Sequence, residues 1–222
     1  MRDARPHLGI LMLETRFPRP LGDVGHPDSF EFPVRYATVH GATAARVVQG
    51  GAQGLLQPFI DTARRLIDDG AVAISTSCGF LALFQPELTR ALPVPVWTSS
   101  LLKLSELCAP GVITVDAAAL GPQHLRAVGA DVAVPVIGLA PGCHLQRALL
   151  HDEPTFDALT AEADTVAAAR DLLECFPQVR EIVFECTNLP PYADAVIRAT
   201  GRPVHHIVSL LHERWRALEA RA

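Results

Sequence analysis

Lysine is nearly absent from this chain of 222 residues, in which Lys103 is the only lysine among 19 basic residues. A pyridoxal-phosphate enzyme needs a lysine for its Schiff base, and Lys103 lies in a segment typical of an ordinary helix with its charge facing outward. The sequence also lacks a Walker motif, and its glycine cluster at 50–54 follows no clear strand. We therefore expect no organic cofactor.

Paired cysteines are absent as well. The chain has five cysteines, an odd number, and none of them forms a C-x-x-C pair. A disulfide framework and a structural zinc site are therefore not expected, and no histidine spacing matches a known ligand set, so we expect no metal. The sequence instead predicts free thiols, at positions 78, 108, 143, 175 and 186.

Neither a basic block nor a long hydrophobic run is present. The net charge of −5 argues against nucleic acid and anionic membrane as partners. The longest apolar run, 132–140, contains Pro135 and is too short to cross a bilayer. The first seven residues lack the apolar stretch of a signal peptide, so we expect a cytoplasmic protein. With 49% hydrophobic and 19% charged residues, the chain is predicted to fold, as one large domain or two small ones.

Short apolar runs alternate with helical patterns along the chain. Runs of four to six apolar residues between helices indicate buried parallel strands in an α/β fold. The predicted strands lie at 8–13, 71–75, 94–97, 111–115 and 181–184, and the predicted helices contain the apolar stripes 59–67, 163–173 and 208–218.

The chain also repeats itself at an offset of 108 residues, which relates Cys78 to Cys186 and Pro95 to Pro203. Between positions 74 and 102 this offset gives eight identities in 29 positions, where composition predicts about two. Each copy reads as helix, strand, cysteine, helix and a Pro-Val strand. We therefore predict two similar parallel-sheet α/β lobes related by pseudo-two-fold symmetry, with an active-site cleft between them.

The two related cysteines are expected just past the carboxyl ends of strands, where open parallel sheets bind ligands. A thiol that precedes a helix meets free backbone N–H groups and the helix dipole, so we expect a lowered pKa for both thiols. In the second copy Asn188 is expected to cap the following helix. Two thiols on opposite sides of a cleft can remove a proton from one face of a carbon and return one to the other.

The segment Glu185-Cys186-Thr187-Asn188-Leu189-Pro190-Pro191-Tyr192 resembles the Gly-Cys-Thr signature of the aspartate/glutamate racemase superfamily. The segment Ser75-Thr76-Ser77-Cys78-Gly79-Phe80 stands where that superfamily usually has Cys-Asn-Thr. The resemblance implies cofactor-independent chemistry, a homodimer and a last helix that returns to the first lobe. It implies lobes at 1–98 plus 205–222, and at 99–204.

The resemblance also implies roles for matched positions. Cys78 and Cys186 are the paired acid and base, and Arg16 is either a clamp for a substrate carboxylate or a surface residue. Glutamate racemases have Asp-Ser after the first strand, where this chain has Glu14-Thr15, and a histidine where it has Asn188, so glutamate specificity is not implied. The predicted carboxylate pocket consists of Thr76, Ser77, Gly79, Thr187 and Asn188, with Thr114 as a weaker addition.

The leading hypothesis is a racemase or epimerase, an isomerase that inverts the Cα of a small carboxylate-bearing substrate, such as an amino acid, with two cysteine bases. One alternative is an isomerase or decarboxylase of the same superfamily that uses Cys186. Another is a non-catalytic small-molecule-binding protein. A thiol redox role is weaker, because the thiols are placed to flank a ligand rather than to pair.

Overall fold

A computed structural model describes residues 6–220; residues 1–5 and 221–222, which the lobe prediction included, lie outside the described residues. In this described part of the chain, eight strands form two four-stranded parallel sheets. The first sheet contains β1 (His7–Met12), β2 (Val34–Thr38), β3 (Ala71–Thr76) and β4 (Val96–Trp97). The second contains β5 (Pro110–Thr114), β6 (Val136–Gly138), β7 (Glu181–Phe184) and β8 (Val204–His205).

Both sheets have the same strand order, β2-β1-β3-β4 in the first and β6-β5-β7-β8 in the second. The pairing register of the strands follows the 108-residue repeat: Ile74 pairs with Val96 in one sheet, and Ile182 pairs with Val204 in the other. The predicted α/β fold with two similar parallel-sheet lobes is therefore confirmed.

Across residues 6–220, seven α-helices connect and cover the strands. The predicted stripes of the first and last helices are buried, as helical spacing requires of a face that packs on a sheet. The stripe predicted for the fifth helix is wrong, because Ala163 and Ala167 are exposed and the buried residues of that helix are Ala161, Thr165, Ala168, Ala169 and Leu172. Gly70, with φ of +102°, turns the chain between the first helix and β3. The helices are α1 (Leu56–Asp68), α2 (Gln85–Ala91), α3 (Pro122–Ala127), α4 (His144–Leu150), α5 (Ala158–Cys175), α6 (Ala193–Thr200) and α7 (Ile207–Glu219).

The last helix packs on the first sheet, although it follows the second sheet in the chain. Ile207 and Leu211 of α7 share a buried cluster with Leu8 and Ile10 of β1. The first sheet ends at Trp97 and the second begins at Pro110. The second sheet extends to His205, one residue beyond the predicted limit of its lobe. The exact lobe boundaries stay a prediction.

Within residues 6–220, none of the helices combines the length and the apolar composition that crossing a membrane requires.

Candidate active site

One cavity lies where the carboxyl ends of the two sheets meet. Its walls come from the segments that follow β1, β3, β5 and β7, together with α4 and the single π-helical segment at 45–49. This is the edge at which parallel sheets bind ligands. The lining residues are Leu13, Phe17, Ala44, Val48, Ser77, Cys78, Gly79, Phe80, Val115, Leu149, Leu150, Glu185, Cys186, Thr187 and Asn188.

Cys78 lies in this cavity, two residues beyond β3 and directly before a 3-10 helix at Gly79–Phe84. The backbone N–H groups of Phe80 and Leu81 contact its sulfur and lower its pKa. Burial and the neighbouring Glu185 nevertheless raise the pKa of the Cys78 thiol to about 12. The predicted lowering of the pKa is therefore wrong, because desolvation outweighs the N–H contacts.

Cys186 occupies the equivalent place beyond β7 and is only 7% exposed. Its thiol donates a hydrogen bond to Oδ1 of Asn188, with 3.6 Å between sulfur and oxygen. Burial, the Glu185 carboxyl and Cys78 raise its pKa well above the ordinary value, against a smaller lowering by the Asn188 backbone N–H. The prediction of a lowered pKa is wrong here for the same reason.

Asn188 is held by a network that the sequence did not reveal. Its Nδ2 donates to Oδ2 of the buried Asp23 at 2.6 Å, and Oδ1 of Asp23 accepts from Arg19 at 3.0 Å and from the Gly25 N–H at 2.7 Å. A carboxylate only accepts hydrogen bonds, so the NH₂ of Asn188 must face Asp23 and its oxygen must face the thiol.

The expectation that Asn188 caps the next helix is wrong. The next helix is a short 3-10 helix at Pro190–Tyr192. Leu189 occupies its cap position, and no side chain caps it. The amide of Asn188 is bound to Asp23 and Cys186 instead. Because this binding involves Asp23, which is 165 positions away in the chain, local sequence patterns gave no sign of it.

The predicted hydroxyl groups are placed differently from one another. Thr76 donates to the Thr98 carbonyl at 2.6 Å, and it does not line the cavity. Thr187 donates to the Ser77 carbonyl at 2.7 Å, which joins the two lobes beside the cysteines. Thr114, also outside the lining, donates to Glu185 at 2.6 Å. Three of the four hydroxyl protons are thus used within the protein.

Ser77 is the remaining hydroxyl of the predicted pocket. Its Oγ accepts the backbone N–H of Leu13 at 2.9 Å, and within residues 6–220 no side chain or backbone group accepts its own proton. Gly79, which was also predicted to belong to the pocket, lines the cavity. The structure therefore brings Ser77, Gly79, Thr187 and Asn188 together around the two thiols.

Glu185 is a cavity residue to which the sequence interpretation gave no role. It is fully buried, and its Oε1 has no hydrogen-bond partner among the described residues. Burial raises the pKa of this carboxyl to about 8, against a lowering by the Thr114 hydroxyl. In the sequence, the sign of this site residue is an acidic residue directly after the strand Glu181–Phe184.

Arg16 lies outside the cavity lining, with 73% of its side chain exposed. Its Nε contacts Oδ2 of Asp152 at 3.1 Å, and its backbone N–H donates to the same carboxylate at 2.5 Å. These contacts join the loop after β1 to the loop after α4, at the rim of the cleft. Arg16 is therefore not positioned to contact a ligand among the thiols.

Apart from the two thiols, Ser77, Glu185, Thr187 and Asn188, the side chains of the cavity wall are apolar. Glu185 is the one ionisable carboxyl in the lining, and no lysine, arginine or histidine is part of it. Within the part of the chain that the structure describes, no group of three His, Cys, Asp or Glu side chains is arranged to hold a metal ion. The reactive groups that this cavity offers are the two thiols and the Glu185 carboxyl.

Comparison with known proteins gives the family. No family model matches the chain. The dimethylsulfoniopropionate lyase of Durusdinium sp. clade D is 32% identical over 216 residues, which cover 90% of this chain and 71% of that protein. The chain belongs to the dimethylsulfoniopropionate lyase family. Dimethylsulfoniopropionate lyase 7 of Emiliania huxleyi (strain CCMP1516) is 30% identical over 233 residues, 92% of this chain and 64% of that protein. The chain spans about two thirds of the length of these lyases.

Solved structures share the fold of this lyase-family chain. Arylmalonate decarboxylase has a TM-score of 0.58 at 19% identity, with 90% of this chain and 86% of that chain covered. Glutamate racemase from Thermus thermophilus has a TM-score of 0.58 at 18% identity, with 99% and 82% covered. At this identity the likeness shows the fold, which is the one that the resemblance to the aspartate/glutamate racemase superfamily implied. The sequence relatives are enzymes, named as lyases rather than isomerases.

Proposed function

We propose that this protein is a cofactor-independent lyase that eliminates a sulfonium group from a small carboxylate, with dimethylsulfoniopropionate as the substrate to test first. The observation that carries the proposal is a cavity that holds two thiols and no basic side chain. The names of the sequence relatives support the choice of substrate. The catalytic residues in this proposal are Cys78 and Cys186.

The proposed reaction is a β-elimination. The thiolate of Cys78 takes a proton from the carbon next to the carboxylate, and the electron pair of that C–H bond forms the new C=C bond. The C–S bond breaks at the same time or afterwards, and dimethyl sulfide leaves with its electron pair. The products are acrylate, dimethyl sulfide and a neutral Cys78 thiol, which returns its proton to water.

A cationic substrate favours the thiolate form of a cysteine, which the free cavity disfavours. Burial keeps the pKa of both thiols above the ordinary value, so neither is a thiolate near neutral pH. A positive charge within about 4–6 Å favours the ionised form of a thiol, and the lining offers no basic residue to supply it. A bound sulfonium brings that charge, and its methyl groups suit the apolar wall at Leu13, Phe17 and Leu150.

The surroundings of the two thiols favour different roles. The backbone N–H groups of Phe80 and Leu81 lower the pKa of Cys78, whereas Cys186 has this contribution from Asn188 alone, so Cys78 is assigned as the base. Cys186 donates its own proton to Asn188, which stabilises the neutral thiol and suits an acid. Elimination needs only the base, so in this reaction Cys186 stays protonated.

The racemase or epimerase of the leading sequence hypothesis is the second candidate. The presence of the second thiol at the equivalent position favours it, because a protonated Cys186 can return a proton to the opposite face of the carbanion. An amino acid also carries an ammonium group, for which the lining offers Glu185 alone. We therefore place elimination first.

The test is to incubate the purified protein with dimethylsulfoniopropionate and to measure dimethyl sulfide in the headspace and acrylate by NMR. Amino acids, hydantoins and dicarboxylates in heavy water form the second arm, in which mass spectrometry reads deuterium at Cα. Equal amounts of dimethyl sulfide and acrylate support elimination. Deuterium uptake with inversion and without elimination supports the racemase.

Cys78→Ala tests the base, and Cys175→Ser is the matched control, because Cys175 is an exposed free thiol at the end of α5. We expect elimination to be lost in Cys78→Ala and unchanged in Cys175→Ser. Elimination at the wild-type rate in Cys78→Ala would overturn the assignment of the base. The absence of both elimination and exchange in the wild type would overturn the proposed function.

A further inference from the structure

The substrate carboxylate needs hydrogen-bond donors, and the structure leaves few of them in the cavity. The hydroxyl protons of Thr76, Thr114 and Thr187 are donated to other protein groups. The NH₂ of Asn188 is directed to Asp23. Ser77 keeps a hydroxyl proton for a ligand, and because the lining contains no basic residue, the negative charge that develops on the carboxylate during proton removal needs a further donor beside Ser77.

Glu185 has one oxygen for which the protein provides no partner. Its Oε2 accepts from Thr114 at 2.6 Å, whereas its Oε1 is buried and unpaired among the described residues. The absence of a side chain at Gly79 makes room for the carboxyl: a Cβ at Gly79 would lie 2.3 Å from Oε1 of Glu185. The carboxyl thus lies between the segment of Cys78 and the segment of Cys186, in the wall of the cavity.

We propose that Glu185 is a further catalytic residue, a neutral carboxylic acid whose Oε1 proton is donated in a hydrogen bond to the carboxylate of the substrate. This inference rests on the proposed function, because it requires a carboxylate that gains negative charge as the neighbouring C–H bond breaks. A buried acid kept neutral in this way strengthens its hydrogen bond as the enediolate forms.

The protonation state of Glu185 follows from its surroundings. With its pKa raised to about 8 by burial, the carboxyl is neutral at pH 7 and ionises as the pH rises past that value. The titratable groups that face it are the thiols of Cys78 and Cys186, and both of them titrate at higher pH. Asp23 and Arg19 act on these thiols from the loop after β1. An ionised Glu185 repels both the substrate carboxylate and the thiolate.

The experiment compares the pH dependence of kcat/KM for elimination in the wild type, Glu185→Gln and Glu185→Met. Gln keeps an oxygen for Thr114 and an N–H donor for the substrate, but it does not titrate. Met has a similar size and has no donor. In the free enzyme Cys78 must lose its proton and Glu185 must keep its own, so we expect kcat/KM of the wild type to rise with pH up to about pH 8 and to level off above it, and we expect the rise to continue past pH 8 in Glu185→Gln.

At pH 7 we expect Glu185→Gln to keep kcat/KM within about tenfold of the wild type, and Glu185→Met to lose roughly 10²–10³-fold, the loss usual for one donor to a developing oxyanion. Thermal denaturation of each variant tests whether the fold is intact. A rise in kcat/KM that levels off near pH 8 in Glu185→Gln as well overturns the inference. A rise that continues past pH 8 in the wild type also overturns it, because ionised Glu185 is then compatible with the reaction, as an anionic partner of the sulfonium would be.

The failure of the inference is distinguishable from the failure of the proposed function. Binding of propionate, an unreactive carboxylate, is measured by calorimetry at pH 7 and pH 9 in the wild type and Glu185→Gln. Affinity that weakens at pH 9 in the wild type alone supports the role of Glu185 even where no substrate is turned over. Equal pH dependence in both proteins overturns it, even where the wild type releases dimethyl sulfide.

Discussion

The two cysteine segments have the same place in their lobes and different neighbours. Ser77-Cys78-Gly79-Phe80 follows β3, and Glu185-Cys186-Thr187-Asn188 follows β7 at the 108-residue offset. Backbone N–H groups lower the pKa of both thiols, but Cys186 also donates its proton to the amide oxygen of Asn188. The repeat therefore places two thiols in one cavity, and the residues that differ between the copies give each thiol its own chemistry.

The segments also contact each other in a crossed arrangement. Glu185, which precedes the second cysteine, packs against Gly79, which follows the first. Ser77, which precedes the first cysteine, accepts the hydroxyl of Thr187, which follows the second. A Cβ at Gly79 would lie 2.0 Å from the Glu185 carbonyl oxygen and 2.3 Å from its Oε1, so both the backbone and the side chain of Glu185 require glycine opposite them.

The largest difference that the comparison predicts is between Cys78→Ser and Cys186→Ser in the elimination reaction. We expect Cys78→Ser to lower kcat/KM about 10²–10⁴-fold, because it removes the general base, and Cys186→Ser to lower it about tenfold or less. Steady-state release of dimethyl sulfide measures both. Equal losses in the two variants would show that both thiols act in the chemical step, as a racemase requires.

Asp23→Asn is expected to remove the hydrogen bond that the Cys186 thiol donates to the Asn188 oxygen. An asparagine at 23 can keep its oxygen towards Arg19 and present NH₂ to Asn188, which then turns its own NH₂ towards the Cys186 sulfur. We expect faster alkylation of Cys186 by iodoacetamide, since the new donor stabilises the thiolate, and a free energy of unfolding lowered by about 3 kcal/mol, because the buried Arg19 loses its ionic partner.

The control for this prediction is alkylation of the exposed Cys175, outside the cavity lining, which should keep its wild-type rate in Asp23→Asn. Peptide mapping by mass spectrometry separates the two sites, and urea denaturation measures the stability. A Cys186 that is alkylated no faster than in the wild type would show that Asp23 does not set the orientation of the Asn188 amide.

The smallest expected effect is that of Arg16→Ala, at the rim where the two lobes meet. The Arg16 side chain is 73% exposed, and its ion pair with Asp152 lies in solvent, so we expect a loss of less than about 1 kcal/mol in the free energy of unfolding. We expect KM for the carboxylate substrate to change less than about threefold, since pairs of this kind contribute little. A KM raised 100-fold or more would restore Arg16 as a carboxylate clamp.

Much of the fold was predictable from the sequence, because it depends on periodic patterns. Apolar runs at strand length identified β1, β3, β5 and β7, and helical stripes identified α1, α5 and α7. The short strands β2 and β6 were not predicted, since Val34–Thr38 has only half-buried and exposed residues and Val136–Gly138 spans three positions. Edge strands of this kind show little hydrophobic periodicity.

The candidate site divides in the same way. The offset of 108 residues was enough to select Cys78 and Cys186 from five cysteines, because a repeat carries equivalent positions to equivalent places in two lobes. The direction of their pKa shifts was not predictable from the helix starts, since it depends on how deeply the thiols and Glu185 are buried together. Burial of that kind is a property of the assembled lobes.

The sequence by itself determined the two-lobed α/β architecture and the pair of thiols, because hydrophobic periodicity and an internal repeat can be recognised without knowing which distant residues are in contact. Only the tertiary structure decided that Asp23 orients Asn188, that Gly79 makes room for Glu185, and that Arg16 pairs with Asp152 at the rim. Each of these contacts joins residues more than 100 positions apart, and such distances in the chain become hydrogen-bond distances only when both sheets have folded and met.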